Sequence, residues 1–333
     1  MREEADLKIG CTAGGTTHHD TDVPDIRTKV RMVKDCGAFD YIDRTPPDDE
    51  FDALLAASQA CDLPVLAGGW FYTLGRDLPL FERNIRKAQL LGSRVHNVQV
   101  LTHHADGHAL TDDEVADFYL AAWDIGMRHD VTPCLEVHVN MWSEHFGRVA
   151  TVAKQVEARG VPFRMTLDHS HVIFKIDNPR EQAVQDMAAD VAAGRLVLEP
   201  GRPGNVVSGW IAADYVRHAH ARAAVPNNPL NTRATHPDGS PGRGIQYPFV
   251  KPAPGEYVAE WDESLLEPWK RVIRELFAHH AARETSPLTQ ISCEHIPAID
   301  YGAGHGYSIF ENNVACARWM RTEWATAVRA AKA

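Results

Sequence analysis

The chain is 333 residues long, 44% apolar and 24% charged, with 34 basic against 45 acidic side chains and a formal charge of −11. That length supports one large barrel or two smaller domains, and the acidic balance argues against a nucleic-acid binder, which needs a basic surface to neutralise phosphates. No apolar run approaches the roughly 20 residues of a membrane span, and the opening MREEADLK lacks the apolar stretch of an export signal, so a cytoplasmic protein with no membrane partner is expected.

In chain order, eight short apolar runs read as strands. They are LKIGC at 7–11, AFDYID at 38–43, PVLAG at 64–68, VHNVQVL at 95–101, TPCLEVHV at 132–139, PFRMTLD at 162–168, DYVRHAH at 214–220 and LTQISCEH at 288–295. Most are rich in β-branched or aromatic residues and are bounded by Gly, Pro or Asp. Helical patterns lie between them, among them 49–62, 80–92, 111–130, 148–160 and 179–194. Several open on Thr, Asp or Pro and close on Gly, as helix caps require. Strand followed by helix, repeated about eight times, predicts a parallel α/β fold, and at this length a single (β/α)8 TIM barrel over 1–333. A doubly wound sheet is the alternative, but GGTTHH at 14–19 is not the Gly-rich turn such a sheet uses. The segment 221–262 breaks the rhythm: Pro, Gly and Asn dominate, and no apolar period runs through it. It reads as a long loop excursion after the seventh strand, serving as a lid or a partner-binding element. The six cysteines stand far apart with no CxxC pair, so free, mostly buried thiols in a reducing compartment are expected.

In a barrel, catalytic groups sit at the C-terminal ends of the strands. Ten of the 18 histidines fall at or just past those ends: His18, His19, His103, His104, His138, His169, His171, His218, His220 and His295. A barrel is expected to gather them into one mouth. Three acids follow apolar runs, Glu136 in CLE, Asp168 in TLD and Glu294 in SCE. Carboxylates in so apolar a context need partners, and three together repel one another unless a cation neutralises them. With one imidazole they offer three oxygens and a nitrogen, a set suited to Mn²⁺, Mg²⁺ or Co²⁺, with Zn²⁺ also open. Trp70, Phe71 and Trp142 follow strands and are candidate apolar walls for a substrate; Lys175 is a candidate contact.

The ordered set of Glu in CLEVH, Asp in LDHSH, His in RHAHAR and Glu in SCEH resembles the xylose isomerase-like TIM barrel superfamily of sugar phosphate isomerases and epimerases, over nearly the whole chain. The stretch Gly244-Ile245-Gln246-Tyr247 is similar too, with Gln where Asp is usual. The resemblance implies one divalent ion, Mn²⁺ foremost, on Glu136, Asp168, His220 and Glu294. His218 is the alternative to His220, because the two share a strand face. His171 is implied to contact the substrate, and His104, Trp70 and Arg222 join it as candidate substrate-binding residues. Glu136 and Glu294 are implied as the acid/base pair, with His138 as an alternative base. The implied activity is isomerisation or epimerisation of a small sugar by proton abstraction next to a carbonyl, through an enediolate held by the metal. The same enolate can expel a β-leaving group, so a lyase of the dehydratase or 3-keto C-glycoside deglycosidase type is the alternative. A homo-oligomer or a complex with another subunit is expected.

Overall fold

The computed structural model describes residues 2–333. Its strands are β1 (Lys8–Thr12), β2 (Tyr41–Asp43), β3 (Val65–Tyr72), β4 (Val95–Val100), β5 (Thr132–Glu136), β6 (Met165–Asp168), β7 (Val216–Ala221), β8 (Asn231–Thr235), β9 (Pro241–Gly242) and β10 (Gln290–Cys293). All but β8 and β9 pair in parallel and close into a barrel in the order β1-β10-β7-β6-β5-β4-β3-β2. Each of the eight predicted runs overlaps one barrel strand, but β3 continues past the predicted end at 68 to Tyr72, so Trp70 and Phe71 lie within it rather than after it.

Alternation along the strands separates two environments. Ile9, Cys11, Ile42, Leu135, Leu167, Ala219, Ile291 and Cys293 belong to the continuous apolar core, which includes the surrounding helices. The residues between them are Tyr41, Asn97, Thr166, His218 and Ser292, and they meet one another in hydrogen bonds across the barrel. The barrel centre is therefore polar and tied together. Gly10 makes room for this filling, since a Cβ there would stand 2.4 Å from the Tyr41 ring.

Helices Phe51–Cys61, Leu78–Leu91, Asp112–Arg128 and Phe146–Ala158 occupy predicted stretches, and Thr111 with Glu114 closes a capping box on the third. The predicted helix over 179–194 is instead two short ones, Pro179–Ala183 and Ala188–Ala192. The Met187 N–H turns back to the Gln182 carbonyl, and Asp186 adopts a φ of 55°, which ends the first helix. The excursion at 221–262 is ordered. It contains the antiparallel β8–β9 ribbon and its own apolar cluster, in which Ala223, Val225, Tyr247 and Tyr257 pack on Leu266, Tyr307 and Ile309. All six cysteines are free, and Cys11, Cys134, Cys293 and Cys316 are buried. No helix among the described residues is long and apolar enough to cross a membrane.

Candidate metal centre at the barrel mouth

A cavity of about 230 Å³ opens at the C-terminal ends of the strands, with Thr12, Asp43, Asn97, Gln99, Glu136, His220 and Glu294 in its lining. One donor atom from each of Glu136, Asp168, His220 and Glu294 lies within 4.8 Å of all the others. Strand register places them. Glu136 and Asp168 are the last residues of β5 and β6, His220 faces inward near the end of β7, and Glu294 directly follows β10.

His220 Nδ1 lies 2.6 Å from Glu136 Oε1 and 3.0 Å from Glu294 Oε2. Its other nitrogen is 2.9 Å from Asn97 Nδ2 and 3.5 Å from Asp43 Oδ2. Burial works against an imidazolium, but Glu294, Glu136 and Asp43 together hold the His220 pKa well above the usual histidine value. His218, two residues deeper, touches Asn97, Ser292 and Tyr41 instead, and burial drives it down to about 3. Glu136 also accepts from Gln99 Nε2 at 2.7 Å.

Arg222 stands on the far side of the cluster, fully buried. Its guanidinium donates to Asp168 Oδ2 at 2.8 Å, to Glu294 Oε2 at 2.6 Å and to the Glu294 carbonyl at 3.0 Å, and it packs 4.2 Å over the Tyr301 ring. Asp168 accepts from Ser170 N–H at 3.0 Å and lies 3.2 Å from His171 Nε2. Burial opposes its ionisation, but Arg222 and His171 keep the Asp168 carboxyl well below the ordinary range. Glu294 makes all its side-chain hydrogen bonds and ion pairs through Oε2, which leaves Oε1 for the cavity.

The cluster is short of positive charge. Asp43, Glu136, Asp168 and Glu294 contribute four negative charges against one from Arg222 and, while His220 is protonated, one from its imidazolium. Two negative charges remain uncompensated in that state and three once His220 is neutral, as a metal ligand must be, so a divalent cation relieves most of the deficit. Three carboxylate oxygens and an imidazole nitrogen within one coordination sphere fit such an ion.

The remaining candidates fall in other places. Trp70 lines the cavity and stacks on Phe71 with centroids 5.6 Å apart. Arg222 and His171 are fully buried behind the carboxylates and do not line the cavity. His138 shares the Glu136 face only if the strand continues, and β5 ends at Glu136. Its ring lies under His171 at 4.4 Å, donates from Nδ1 to the Val139 carbonyl at 2.6 Å, and is lowered to about 4 by burial, with His171 adding to the effect. His104 sits on a separate groove beside Gly75 and Phe118. Lys175 is buried between Glu144 and Glu181, away from the cavity. The expected gathering of ten histidines into one mouth is corrected: of those ten, the cavity lining contains His220 alone. His169 is turned outward to stack on Trp269, because the chain enters a helical turn at Ser170. His295 is buried on Asn313.

Asp43, Asn97 and Gln99 were not singled out from sequence. Asp43 ends the run AFDYID just as Asp168 ends its own, which was the available signal. Asn97 and Gln99 lie inside a strand and carried none. Gln246 bridges two segments, accepting from Ile296 N–H at 2.8 Å and donating to the Tyr307 hydroxyl at 3.2 Å.

No family model matches the chain, and no curated protein matches it. Solved structures do match. D-allulose 3-epimerase from Methylomonas sp. is 12% identical, with a TM-score of 0.55 over 97% of this chain and 100% of that one. A xylose isomerase-like TIM barrel protein from Mycobacterium smegmatis, in complex with magnesium, is 13% identical, with a TM-score of 0.55 over 98% and 100%. The IOLI protein with a bound zinc atom is 13% identical, with a TM-score of 0.54 over 96% and 98%. The fold is a xylose isomerase-like TIM barrel.

Proposed function

We propose that this chain is a divalent-metal-dependent isomerase or epimerase of a small sugar. The observation that carries the reading is the uncompensated charge beside the cavity, where Glu136, Asp168, His220 and Glu294 converge. These four would hold the ion. When bound, a divalent cation polarises a carbonyl and acidifies the adjacent C–H. The fold neighbours whose names include a sugar epimerase, magnesium and zinc support the same reading. The oxygen-rich donor set favours Mn²⁺, Mg²⁺ or Co²⁺ over a thiolate-type zinc site.

The protein's own groups supply the proton chemistry. Glu294 presents a free oxygen to the cavity and takes or returns a proton there. Glu136, oriented by Gln99 and His220, serves the other proton position. His138 does not line the cavity, and burial lowers it to about 4, which favours the two glutamates over it as the base. Arg222 fixes the Glu294 carboxylate and contributes permanent positive charge behind the carboxylates that line the cavity. Trp70 gives a flat apolar wall for the C–H face of a sugar.

A cavity of about 230 Å³ lies below the roughly 300–1,000 Å³ of sites that hold drug-sized ligands. That size supports a monosaccharide over an aryl glycoside, and with it isomerisation over elimination. The test is incubation of the Mn²⁺-loaded protein with ketohexoses in D₂O. Solvent deuterium at the carbon beside the carbonyl of recovered sugar is expected. Aglycone release from a 3-keto aryl glycoside with no deuterium uptake into any ketose would overturn the reading in favour of a lyase.

A further inference from the structure

Outside the mouth, two imidazoles and a carboxylate meet on the loop that follows β4. The loop doubles back on itself. His103 bridges Ala109, the His104 N–H donates to the His108 carbonyl at 2.9 Å, and the Gly107 N–H, at a φ of 97°, donates to the His104 carbonyl at 2.9 Å. That turn sets the His104 and His108 rings side by side, centroids 4.8 Å apart, against the Asp106 carboxylate. His108 Nδ1 lies 2.6 Å and His104 Nδ1 3.1 Å from the same atom, Asp106 Oδ1. All three donor atoms lie within 4.8 Å of one another.

Both rings are held from behind. The His104 ring lies over Gly75, where a Cβ would stand 2.1 Å from Nε2, so only glycine leaves it space. Its Nδ1 accepts the Asp106 backbone N–H at 3.4 Å. Nδ1 also lies 3.1 Å from the Asp106 carboxylate, a contact that a proton on Nδ1 bridges and that a metal ion replacing that proton would bridge as well. On the other side, His108 Nε2 lies 2.7 Å from Glu114 Oε1. Glu114 is itself fixed by the Thr111 N–H at 2.8 Å and the Thr111 hydroxyl at 2.7 Å. A carboxylate behind an imidazole sets the ring's orientation and strengthens it as a metal ligand.

We propose that His104, Asp106 and His108 form a second, solvent-facing site for a transition-metal ion such as Zn²⁺, Ni²⁺ or Co²⁺. Two imidazoles and one carboxylate match the borderline preference of these ions. Ligands held at about 2.05 Å in a tetrahedron stand about 3.3 Å apart. The His104–Asp106 edge is already close to that value, and the His108–Asp106 edge needs only a small opening. The fourth position faces water. An ion there ties the loop tip, through His108 and Glu114, to the start of the helix Asp112–Arg128.

Calorimetric titration of the chelator-stripped full-length protein with Zn²⁺ tests this. Two equivalents are expected for the native protein, one for H108A, one for the double variant E136Q/E294Q, and none when all three changes are combined. His108 is exposed, so H108A is expected to fold, and far-UV circular dichroism checks it. D106N, which keeps a polar side chain of the same size, is expected to weaken the surface site at least tenfold. If E136Q/E294Q binds no Zn²⁺, or H108A takes up as much as the native chain, the surface site is refuted. Loss of the mouth site alone appears separately, as unchanged uptake in E136Q/E294Q.

Discussion

At the mouth, Asp43, Glu136, Asp168 and Glu294 face only His220 and Arg222, whereas nearby on the same rim Glu144 and Glu181 face Lys175 and Arg243 in equal number. Both groups are buried. In the second, Lys175 Nζ donates to Glu144 Oε1 at 2.8 Å, and Arg243 reaches from the 221–262 excursion to both glutamates and to Asn140. Every charge there has an opposite partner inside the chain, so the group works as a clasp that holds the excursion to the loops after β5 and β6. The mouth has no such closure. A balanced buried cluster is complete as folded, while an unbalanced one makes room for a charge from outside.

The two clusters should therefore answer mutation in opposite ways. The largest effect is expected for Glu136→Gln at the mouth, with turnover falling by about 10²–10⁴-fold, the usual contribution of a positioned acid or base. Metal-free E136Q should nevertheless be at least as stable to urea as the metal-free native chain, because one uncompensated charge is gone. A metal-free variant much less stable than native would break the contrast. In the clasp, Lys175→Met strands two buried glutamates on one arginine and should cost about 3–5 kcal/mol of stability. Turnover per folded molecule should stay within about twofold of native. Equilibrium unfolding with activity measured on the folded fraction reads both quantities.

A smaller effect comes from histidines whose burial outweighs the carboxylates around them. His96 and His305 are lowered to about 4 and His280 to about 3, in each case by burial first. The unfolded chain titrates these rings near pH 6.5, so below that value it binds more protons than the folded chain. Stability is full above about pH 6.5 and falls as pH drops toward 4, by up to about 1.4 kcal/mol per pH unit for each histidine. Urea midpoints at pH 7 and pH 5 check the slope. His96→Gln should flatten it, and an unchanged slope would show that the ring is not buried neutral.

Much of this was legible in the residues. The eight strands stood out because each is a short apolar run with a polar stop. The three carboxylates that meet at the mouth all follow such runs, so strand ends pointed to them, whereas His220 over His218 came from the family resemblance. What failed was the assumption that alternation continues past the strand. It does not after Glu136, where the chain leaves the sheet, and His138 ends under His171. Nor does it after Asp168, where a helical turn brings His171 to Asp168 and sends His169 outward. Arg222 was visible as a residue near the site but not as its built-in counterion, because pairing across β6, β7 and β10 depends on a closed barrel that no local pattern encodes.

The polar filling of the barrel carries a consequence for how the protein can change. Asn97, Thr166, His218, Ser292 and Tyr41 brace the charged floor from several strands, so a substitution at any of them disturbs several neighbours at once. Trp70 and Ile296 border the same cavity with apolar side chains that make no hydrogen bond to the floor. Drift in substrate preference is cheap at those wall positions and expensive beneath them. A library confined to Trp70 and Ile296 is thus the shortest route to altered sugar selectivity, with the reactive machinery inherited intact.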